Sequence, residues 1–210
     1  MTISQSKKQR KLELSLINAA IELASRHRWR DISIRDIAIK AGISTAEALN
    51  LFPSKHSILE GFDKSINQVV LEGLLIDPET GDSKKDRLFD ILMRRFEAMS
   101  DYKNGLAAIG VDIGCDPCTA LRSLSSLYSS MALTLEAAHI STSGPGGKLR
   151  IHGLIMIYAY CLRVWFRDEN KDLSSTMAAV DRGVSFAEKL VSMAPFKKNH
   201  LSSAIEPDHS

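Results

Sequence analysis

Apolar residues recur at intervals of three and four along most of this chain, a spacing that is typical of amphipathic helices. The clearest stretch is residues 32–55, where an apolar stripe, a glycine and a second short stripe follow one another. In the first stripe, Ile34, Ile37 and Ala38 share one face while charged residues occupy the other. No segment shows a sustained strand-like alternation of apolar and polar residues. We therefore expect an all-α fold.

Small polar residues, a glycine and a proline mark the helix ends in this stretch. Gly42 suits the left-handed backbone that ends a helix, and Ser44 can cap the next helix through its hydroxyl group. Pro53 stops that second helix, and Ser54 can cap a third helix that begins at Lys55. Two short helices about a tight turn form a helix-turn-helix, a module that can place one helix in the major groove of DNA.

The stretch from about residue 12 to residue 62 resembles the DNA-binding head of the tetracycline-repressor (TetR) family of bacterial regulators. A first helix with apolar residues such as Leu16 and Ala20 precedes the motif, as it does in that family. The family ending, an aromatic residue followed by Pro-Ser-Lys and an apolar helix, occurs here as Phe52 and residues 53–55. The residues that fold the motif are therefore present.

The resemblance implies a division of the chain into three parts. Residues 1–54 would form the helix-turn-helix DNA-binding domain, residues 55–196 a helical effector-binding and dimerisation domain, and residues 197–210 a polar tail. The expected function is transcriptional repression by a homodimer that binds a double-stranded DNA operator, without a cofactor, and is released by a small apolar effector. Residues 1–12 are polar and basic, so neither a secretory signal nor a membrane anchor is expected, and the location is cytoplasmic.

The second helix of the motif departs from the family pattern. Where the family usually presents a lysine, a tyrosine and a histidine to DNA, this chain has Thr45, Leu49 and Leu51. Leucine makes no phosphate contact, although Asn50 can read an adenine edge and nearby basic residues can hold phosphate. A DNA reader and a head that has lost DNA binding both remain open. The candidate DNA contacts are Ser33, Arg35, Thr45, Ala46, Glu47, Leu49, Asn50, Leu51 and Lys55.

Charge is distributed unevenly along the chain. Residues 1–64 contain eleven lysines and arginines against seven aspartates and glutamates, a net charge of +4, whereas residues 65–210 contain 16 against 18, a net charge of −2. A basic head favours an anionic partner such as DNA. The alternative is a merely solvated, disordered segment around residues 7–11. With 44% hydrophobic and 25% charged residues, the composition is that of a globular protein with a real core.

Helical patterns continue beyond the head to about residue 193. We expect helices over residues 55–76, 86–99, 106–113, 117–138, 149–166 and from about 172, with polar connectors over 77–85 and 141–147. Bulky apolar and aromatic side chains on these helices are candidates for an effector pocket, although such stripes are more often plain core. They are Phe62, Ile66, Phe89, Met93, Phe96, Leu127, Tyr128, Met131 and Tyr158.

The last two helices have the pattern of an oligomerisation unit. The helix over 149–166 is apolar on nearly every face, but Arg150, His152 and Arg163 make it a poor membrane span. The final helix repeats apolar residues at alternating four- and three-residue steps. The TetR resemblance implies a four-helix bundle across a twofold axis, and the alternative is packing within one chain. The candidate interface residues are Ile155, Leu162, Trp165, Met177, Val180, Val184 and Val191.

A second resemblance concerns residues 165–183, WFRDENKDLSSTMAAVDRG. This segment is similar to the C-terminal region of ubiquinone-biosynthesis accessory proteins that reuse the TetR fold to bind lipid. Together with the leucines of the recognition helix, it supports an alternative function, the binding of lipid or isoprenoid by a protein that has lost DNA binding. The partner distinguishes the two: DNA at low salt, or lipid retained through purification.

Signals of catalysis and metal binding are weak. Cys115 and Cys118 form a CxxC pair, but redox sites of this kind place the first cysteine at a helix start after a strand. A single pair also lacks the second two ligands of a structural zinc site. No nucleophile elbow or phosphate-binding glycine loop occurs. We therefore expect neither enzymatic activity nor a bound metal.

Overall fold

The chain folds as a succession of helices. A computed structural model describes residues 3–76, 83–114 and 117–193, and these residues contain no strand. The prediction of an all-α fold is confirmed. The helices are α1 (Ile3–Ala24), α2 (Ile34–Ala41), α3 (Thr45–Leu51), α4 (Lys55–Ile76), α5 (Lys84–Ala98), α6 (Lys103–Gly114), α7 (Pro117–Ala137), α8 (Gly144–Trp165) and α9 (Ser174–Met193), with short 3-10 turns at Trp29–Asp31 and Ser100–Tyr102.

Helix boundaries agree with the sequence pattern except at a few places. α1 begins at Ile3, so the basic residues 7–11 lie in a helix rather than in a disordered segment. α5 and α6 begin slightly before their predicted starts. α8 begins at Gly144, inside the predicted connector. This start requires Gly147, because a Cβ atom there would collide with the backbone of Thr142.

Side-chain caps hold the helix-turn-helix in shape. The Ser33 hydroxyl accepts a hydrogen bond from Asp36 N at 3.2 Å, while the Asp36 carboxylate accepts one from Ser33 N at 2.9 Å, forming a capping box at the start of α2. Gly42 ends α2 with a left-handed φ of 69°. The Ser44 hydroxyl accepts a hydrogen bond from Glu47 N at 3.2 Å and caps α3. The predicted turn is confirmed.

The hydrophobic core runs from the head into the bundle without a break. α1 packs against α2, α4 and α6, and α4 and α5 continue the core toward α7, α8 and α9. Leu16 in the head and Trp165 in the bundle are both fully buried. Gly105 of α6 approaches the backbone of Ile21 in α1 so closely that a Cβ atom would not fit. The head is therefore joined to the bundle through both α4 and α6.

Candidate nucleic-acid interface and bundle core

The exposed face of α3 is small and nearly uncharged. Ala46, Glu47, Leu49 and Asn50 are exposed there, while Thr45 is half-buried at the first turn. A helix of this kind can offer hydrogen bonds and apolar contacts to base edges, but few contacts to phosphate.

Leu51 does not share this exposed face. It is half-buried and packs against the hydrophobic core, whereas Leu49 is 44% exposed. Its side chain helps to hold α3 on the head, and its assignment to the DNA-facing surface stays a prediction. Of the two leucines, Leu49 is the more exposed.

Lys55 is tied to the turn that precedes α2. Its ammonium group donates hydrogen bonds to the carbonyl oxygens of Trp29 at 2.6 Å and Arg30 at 3.2 Å, and it lies 5.1 Å from the centroid of the Trp29 ring. Burial lowers the pKa of Lys55, opposed by the negative charges of Asp31 and Asp112. Two of its three donors thus bind the protein, and the assignment of Lys55 to a DNA phosphate stays a prediction.

Several other charged side chains of the head are also engaged within the protein. Lys40 Nζ lies 2.7 Å from the Glu22 carboxylate, and Arg26 lies 3.6 Å from the same group. Arg28 and Arg35 are exposed and form no ion pair with another described residue. Arg28 and Arg35, just before and within α2, are thus available to bind an anion.

The nine predicted pocket residues all belong to, or pack against, one continuous apolar cluster that extends from the head through the bundle. Phe96 stacks on Tyr158 with ring centroids 5.4 Å apart and also contacts Trp165 at 5.9 Å. Of the nine, the fully buried ones are Phe62, Ile66, Met93, Phe96, Met131 and Tyr158, and the half-buried ones are Phe89, Leu127 and Tyr128.

A separate surface cavity of about 370 Å³ lies where α8 ends and α9 begins. None of the nine predicted pocket residues lines it. Its lining residues are Tyr160, Arg163, Val164, Arg167, Asp168 and Ser175.

A polar network crosses the apolar cluster, and sequence reasoning missed it. Arg95 of α5 is only 2% exposed, and its Nη1 donates a hydrogen bond to Asn67 Oδ1. Asn67 in turn donates from Nδ2 to the Ser130 hydroxyl at 3.1 Å. Asp63 accepts a hydrogen bond from the Ser126 hydroxyl at 2.7 Å, and its other carboxylate oxygen lies 4.0 Å from Arg95 Nη2. The network links α4, α5 and α7.

Burial changes the ionisation of this network. It raises the pKa of Asp63, and the hydrogen bond from Ser126 and the charge of Arg95 oppose that shift only in part. Burial also raises the pKa of Tyr158, whose ring centroid lies 5.7 Å from the Arg95 guanidinium. One feature of the sequence indicates this network: Arg95 lies three residues after Leu92, on the apolar side of α5, where a charged residue is unexpected.

Three of the predicted dimer contacts belong to the core of the subunit. Trp165, Val180 and Val184 are buried, because the apolar seam of α9 packs against α5 and α8 of the same chain. They cannot contact a second copy, which corrects their assignment to an intermolecular seam. The other predicted contacts are the exposed Met177, the half-buried Ile155 and Leu162, and Val191, whose side chain lies outside the described part of the chain.

A different apolar surface lies on the outer side of α8 and α9. Leu149, Met156 and Tyr160 follow one side of α8, and Phe186 and Leu190 lie on α9. Their exposed fractions range from 46% to 75%. Large apolar side chains gathered on one exposed face are characteristic of surfaces that another molecule covers.

The described residues hold no group of three or more histidine, cysteine, aspartate or glutamate side chains that could bind a metal ion. Cys115 and Cys118 lie outside the residues whose side chains are described. Burial raises the pKa of the Cys161 thiol to about 11, so this thiol is protonated at neutral pH. Within the described ranges, no helix is both long enough and apolar enough to cross a membrane.

The arrangement of helices matches that of solved bacterial transcription regulators. A TetR transcriptional regulator from Nitrosomonas europaea ATCC 19718 superposes with a TM-score of 0.68 at 17% identity, covering 85% of this chain and 99% of that chain. One from Rhodococcus sp. RHA1 gives 0.63 at 14% identity, covering 90% and 100%. A TetR-family transcriptional regulator from Streptomyces coelicolor gives 0.50 at 16% identity, covering 87% and 85%. No protein-family model and no curated protein matches the chain.

The class that these comparisons define is the TetR-like all-α fold, and this chain has that fold. The likeness extends over most of the chain, whereas the resemblance in the sequence was strongest in the head. The fold resemblance is therefore confirmed for the bundle as well.

Proposed function

We propose that the protein is a DNA-binding transcription regulator of the TetR type that acts as a homodimer and is not an enzyme. The observation that carries this proposal is the capped helix-turn-helix, whose second helix presents an exposed face on a TetR-like scaffold. Such a helix can enter the major groove and read base edges. We further propose that the protein is a cytoplasmic repressor, released from its operator when a small molecule binds in the bundle.

The exposed residues of α3 are the proposed readers of DNA sequence. Asn50 can form the paired hydrogen bonds that recognise adenine, and Leu49 can pack against a thymine methyl group. Arg28 and Arg35 supply phosphate contacts in place of Lys55, which is held by backbone carbonyl oxygens. Because few cations face the DNA, we expect recognition to depend strongly on base contacts.

The outer apolar face of α8 and α9 is the proposed dimer interface. Gly183 of α9 packs against Ile157 of α8 without room for a Cβ atom, so the two helices lie side by side. They run antiparallel, which brings Phe186 near the level of Met156. A second copy across a twofold axis would cover this face and complete a four-helix bundle. The two α3 helices must then lie about 34–36 Å apart to enter successive major grooves.

Helix α6 is the proposed link between effector and DNA. Tyr102, just before α6, packs edge-on against Phe62 of α4 with ring centroids 5.2 Å apart, and its hydroxyl donates a hydrogen bond to Asn18 Oδ1 at 3.1 Å. Farther along α6, Asp112 accepts a hydrogen bond from Arg30 N at 3.2 Å. A molecule that moves α4 or α6 would therefore shift the head, with a coupling free energy commonly of about 1–3 kcal/mol.

Selection from a randomised pool of double-stranded DNA, followed by equilibrium titrations at several salt concentrations, tests the proposed function. The expected operator has two related half-sites about one helical turn apart. Asn50→Ala should relax the preference at one base position, whereas the matched variant Arg35→Ala should weaken binding to every sequence about equally.

Binding that is equal for all sequences and is lost at physiological salt would contradict the regulator. In that case, native mass spectrometry tests the alternative function, the binding of lipid. Isoprenoid or acyl lipid retained through purification, together with the exposed Leu49, would favour a lipid-binding protein on a TetR-like fold.

A further inference from the structure

Arg95 lies in the bundle core with an incomplete set of partners. Its Nη1 donates to Asn67, but its Nε has no acceptor among the described residues. Its Nη2 lies 4.0 Å from Asp63 Oδ1, which is beyond hydrogen-bond distance. Nε and Nη2 form one edge of the guanidinium group, and such an edge can bind both oxygens of a carboxylate. The edge that is suited to a carboxylate thus carries one buried donor without an acceptor, Nε, and a 4.0 Å approach to Asp63 at Nη2.

The neighbouring carboxyl group compensates the charge of Arg95 only weakly. Asp63 directs one oxygen to the Ser126 hydroxyl, and burial makes this carboxyl group less acidic than usual by raising its pKa. The guanidinium otherwise faces the ring of Tyr158, an uncharged partner. A buried cation that lacks a well-placed anion is strongly destabilising. An anion that enters the core would therefore gain more from Arg95 than Asp63 does now.

The surroundings of Arg95 define the rest of the ligand. The Arg95 guanidinium lies 5.7 Å from the Tyr158 ring, which stacks on the buried Phe96, so the body of the ligand must be apolar. The side chain of Asp63 is 34% exposed. Asp63, which lies 4.0 Å from Arg95, is thus partly accessible to solvent.

We propose that the effector is a small organic acid with an apolar body, whose carboxylate binds the Nε–Nη2 edge of Arg95 and displaces the Asp63 side chain. This inference rests on the proposed function, since it names the class of effector, and it adds a carboxylate to the small apolar effector expected from sequence. Phe62, next to Asp63 on α4, contacts Tyr102 immediately before α6. Displacement of Asp63 thus acts on the helix that contacts the head.

Isothermal titration calorimetry on the full-length protein tests the acid site, with octanoate, decanoate and phenylacetate as probes and their primary amides as neutral controls. At least one acid should bind about tenfold or more tightly than its amide, since hydrogen bonds to charged groups are stronger than neutral ones. Arg95→Met should abolish this preference. Asp63→Asn should strengthen acid binding, because it removes the competing carboxylate. Circular dichroism establishes that both variants are folded.

Several results would overturn the acid site: equal binding of acids and amides, no binding of any acid at millimolar concentration, or acid affinity that Asp63→Asn leaves unchanged or weaker. The Asp63→Asn arm keeps the test valid even if Arg95→Met fails to fold. The calorimetry contains no DNA. Its result therefore tests the acid site independently of the proposed DNA-binding function. A protein that prefers acids but reads no DNA sequence would refute the regulator alone, whereas release of operator DNA by neutral amides alone would refute the acid site alone.

Discussion

Asp112 of α6 accepts a hydrogen bond at 3.2 Å from the backbone amide of Arg30, in the turn before the helix-turn-helix. The Arg30 guanidinium lies 3.9 Å from the other oxygen of the same carboxylate. The Asp112 side chain is only 12% exposed, so solvent screens this pair less than an ordinary surface ion pair. The contact fastens α6 to the head close to Lys55, the first residue of α4, which donates a hydrogen bond to the carbonyl oxygen of Arg30.

Asp112→Ala should loosen the head while leaving the bundle intact. Hydrogen–deuterium exchange measured by mass spectrometry is expected to rise in residues 29–41 and to stay at the wild-type level in α8, since local opening depends on local contacts. The control is Val111→Ala, which changes an exposed neighbour on the same helix. Equal exchange in Asp112→Ala and Val111→Ala would show that the contact does not hold the head.

Lys55→Met should mainly lower the stability of the protein, whereas Arg35→Ala should mainly lower its affinity for DNA. Lys55→Met leaves the carbonyl oxygens of Trp29 and Arg30 without their donor and should lower the free energy of unfolding by about 1 kcal/mol. Arg35→Ala should leave that free energy within about 0.5 kcal/mol of wild type and weaken DNA binding. Urea unfolding and DNA titration measure the two effects. A stable Lys55→Met variant with lost DNA affinity would restore Lys55 to the DNA contacts.

Leu51→Ala should be more destabilising than Leu49→Ala. Leu51 packs against the core, so its truncation should lower the free energy of unfolding by about 1–3 kcal/mol, whereas Leu49→Ala should change it by less than about 0.5 kcal/mol. Leu49→Ala should instead reduce the preference for thymine at one position of the operator. Unfolding by urea and selection from a DNA pool provide the measurements, and equal destabilisation by both substitutions would contradict the assignment.

Met156→Glu should give a folded monomer, whereas Val184→Glu should prevent folding. Met156 is 72% exposed in the subunit, so a charge there is harmful only when a second copy covers it. Val184 is buried, and a carboxylate at its position would be desolvated in any oligomeric state. Sedimentation gives the mass in solution and circular dichroism the helix content. A Met156→Glu variant that sediments as the wild type would exclude the outer face of α8 from the interface.

The ionisation of Asp168 should make the stability of the folded protein depend on pH in the acid range. Its buried carboxylate accepts hydrogen bonds at 2.8 Å from both the amide and the hydroxyl of Thr176. Burial acts to raise the pKa of Asp168, but these bonds, one from Asn170 N and the charge of Lys103 together lower it.

A lowered pKa in the folded state stabilises the protein above the ordinary pKa of 3.8, and this stabilisation is lost as the pH falls through the folded-state pKa. Asp168→Asn should therefore lower the Tm at neutral pH, and its difference from wild type should shrink below about pH 4. Thermal unfolding across this range checks the effect. A difference that is the same at all pH values would show that the charge of Asp168 is not involved.

Local sequence determined the head almost entirely. Gly42, Ser44 and Ser54 act within one helical turn of their positions, and each was predicted in the role that it has; Ser54, for example, accepts a hydrogen bond from Ser57 N at 3.1 Å. The helices of the bundle were also predictable, because an apolar stripe requires only that one side of a helix be buried.

The tertiary structure decided what lies against each helix. Lys55 and Trp165 have the residue types of a DNA contact and a dimer contact, yet one binds backbone carbonyl oxygens and the other is core. The sequence contains only one sign of the network of Asp63, Arg95 and Ser126, the position of Arg95 on the apolar side of α5, because its members are joined only when α4, α5 and α7 pack together. Helical periodicity indicates that one face of a helix is buried. Only the packing determines whether that face is covered by the same chain, a second copy, DNA or a ligand.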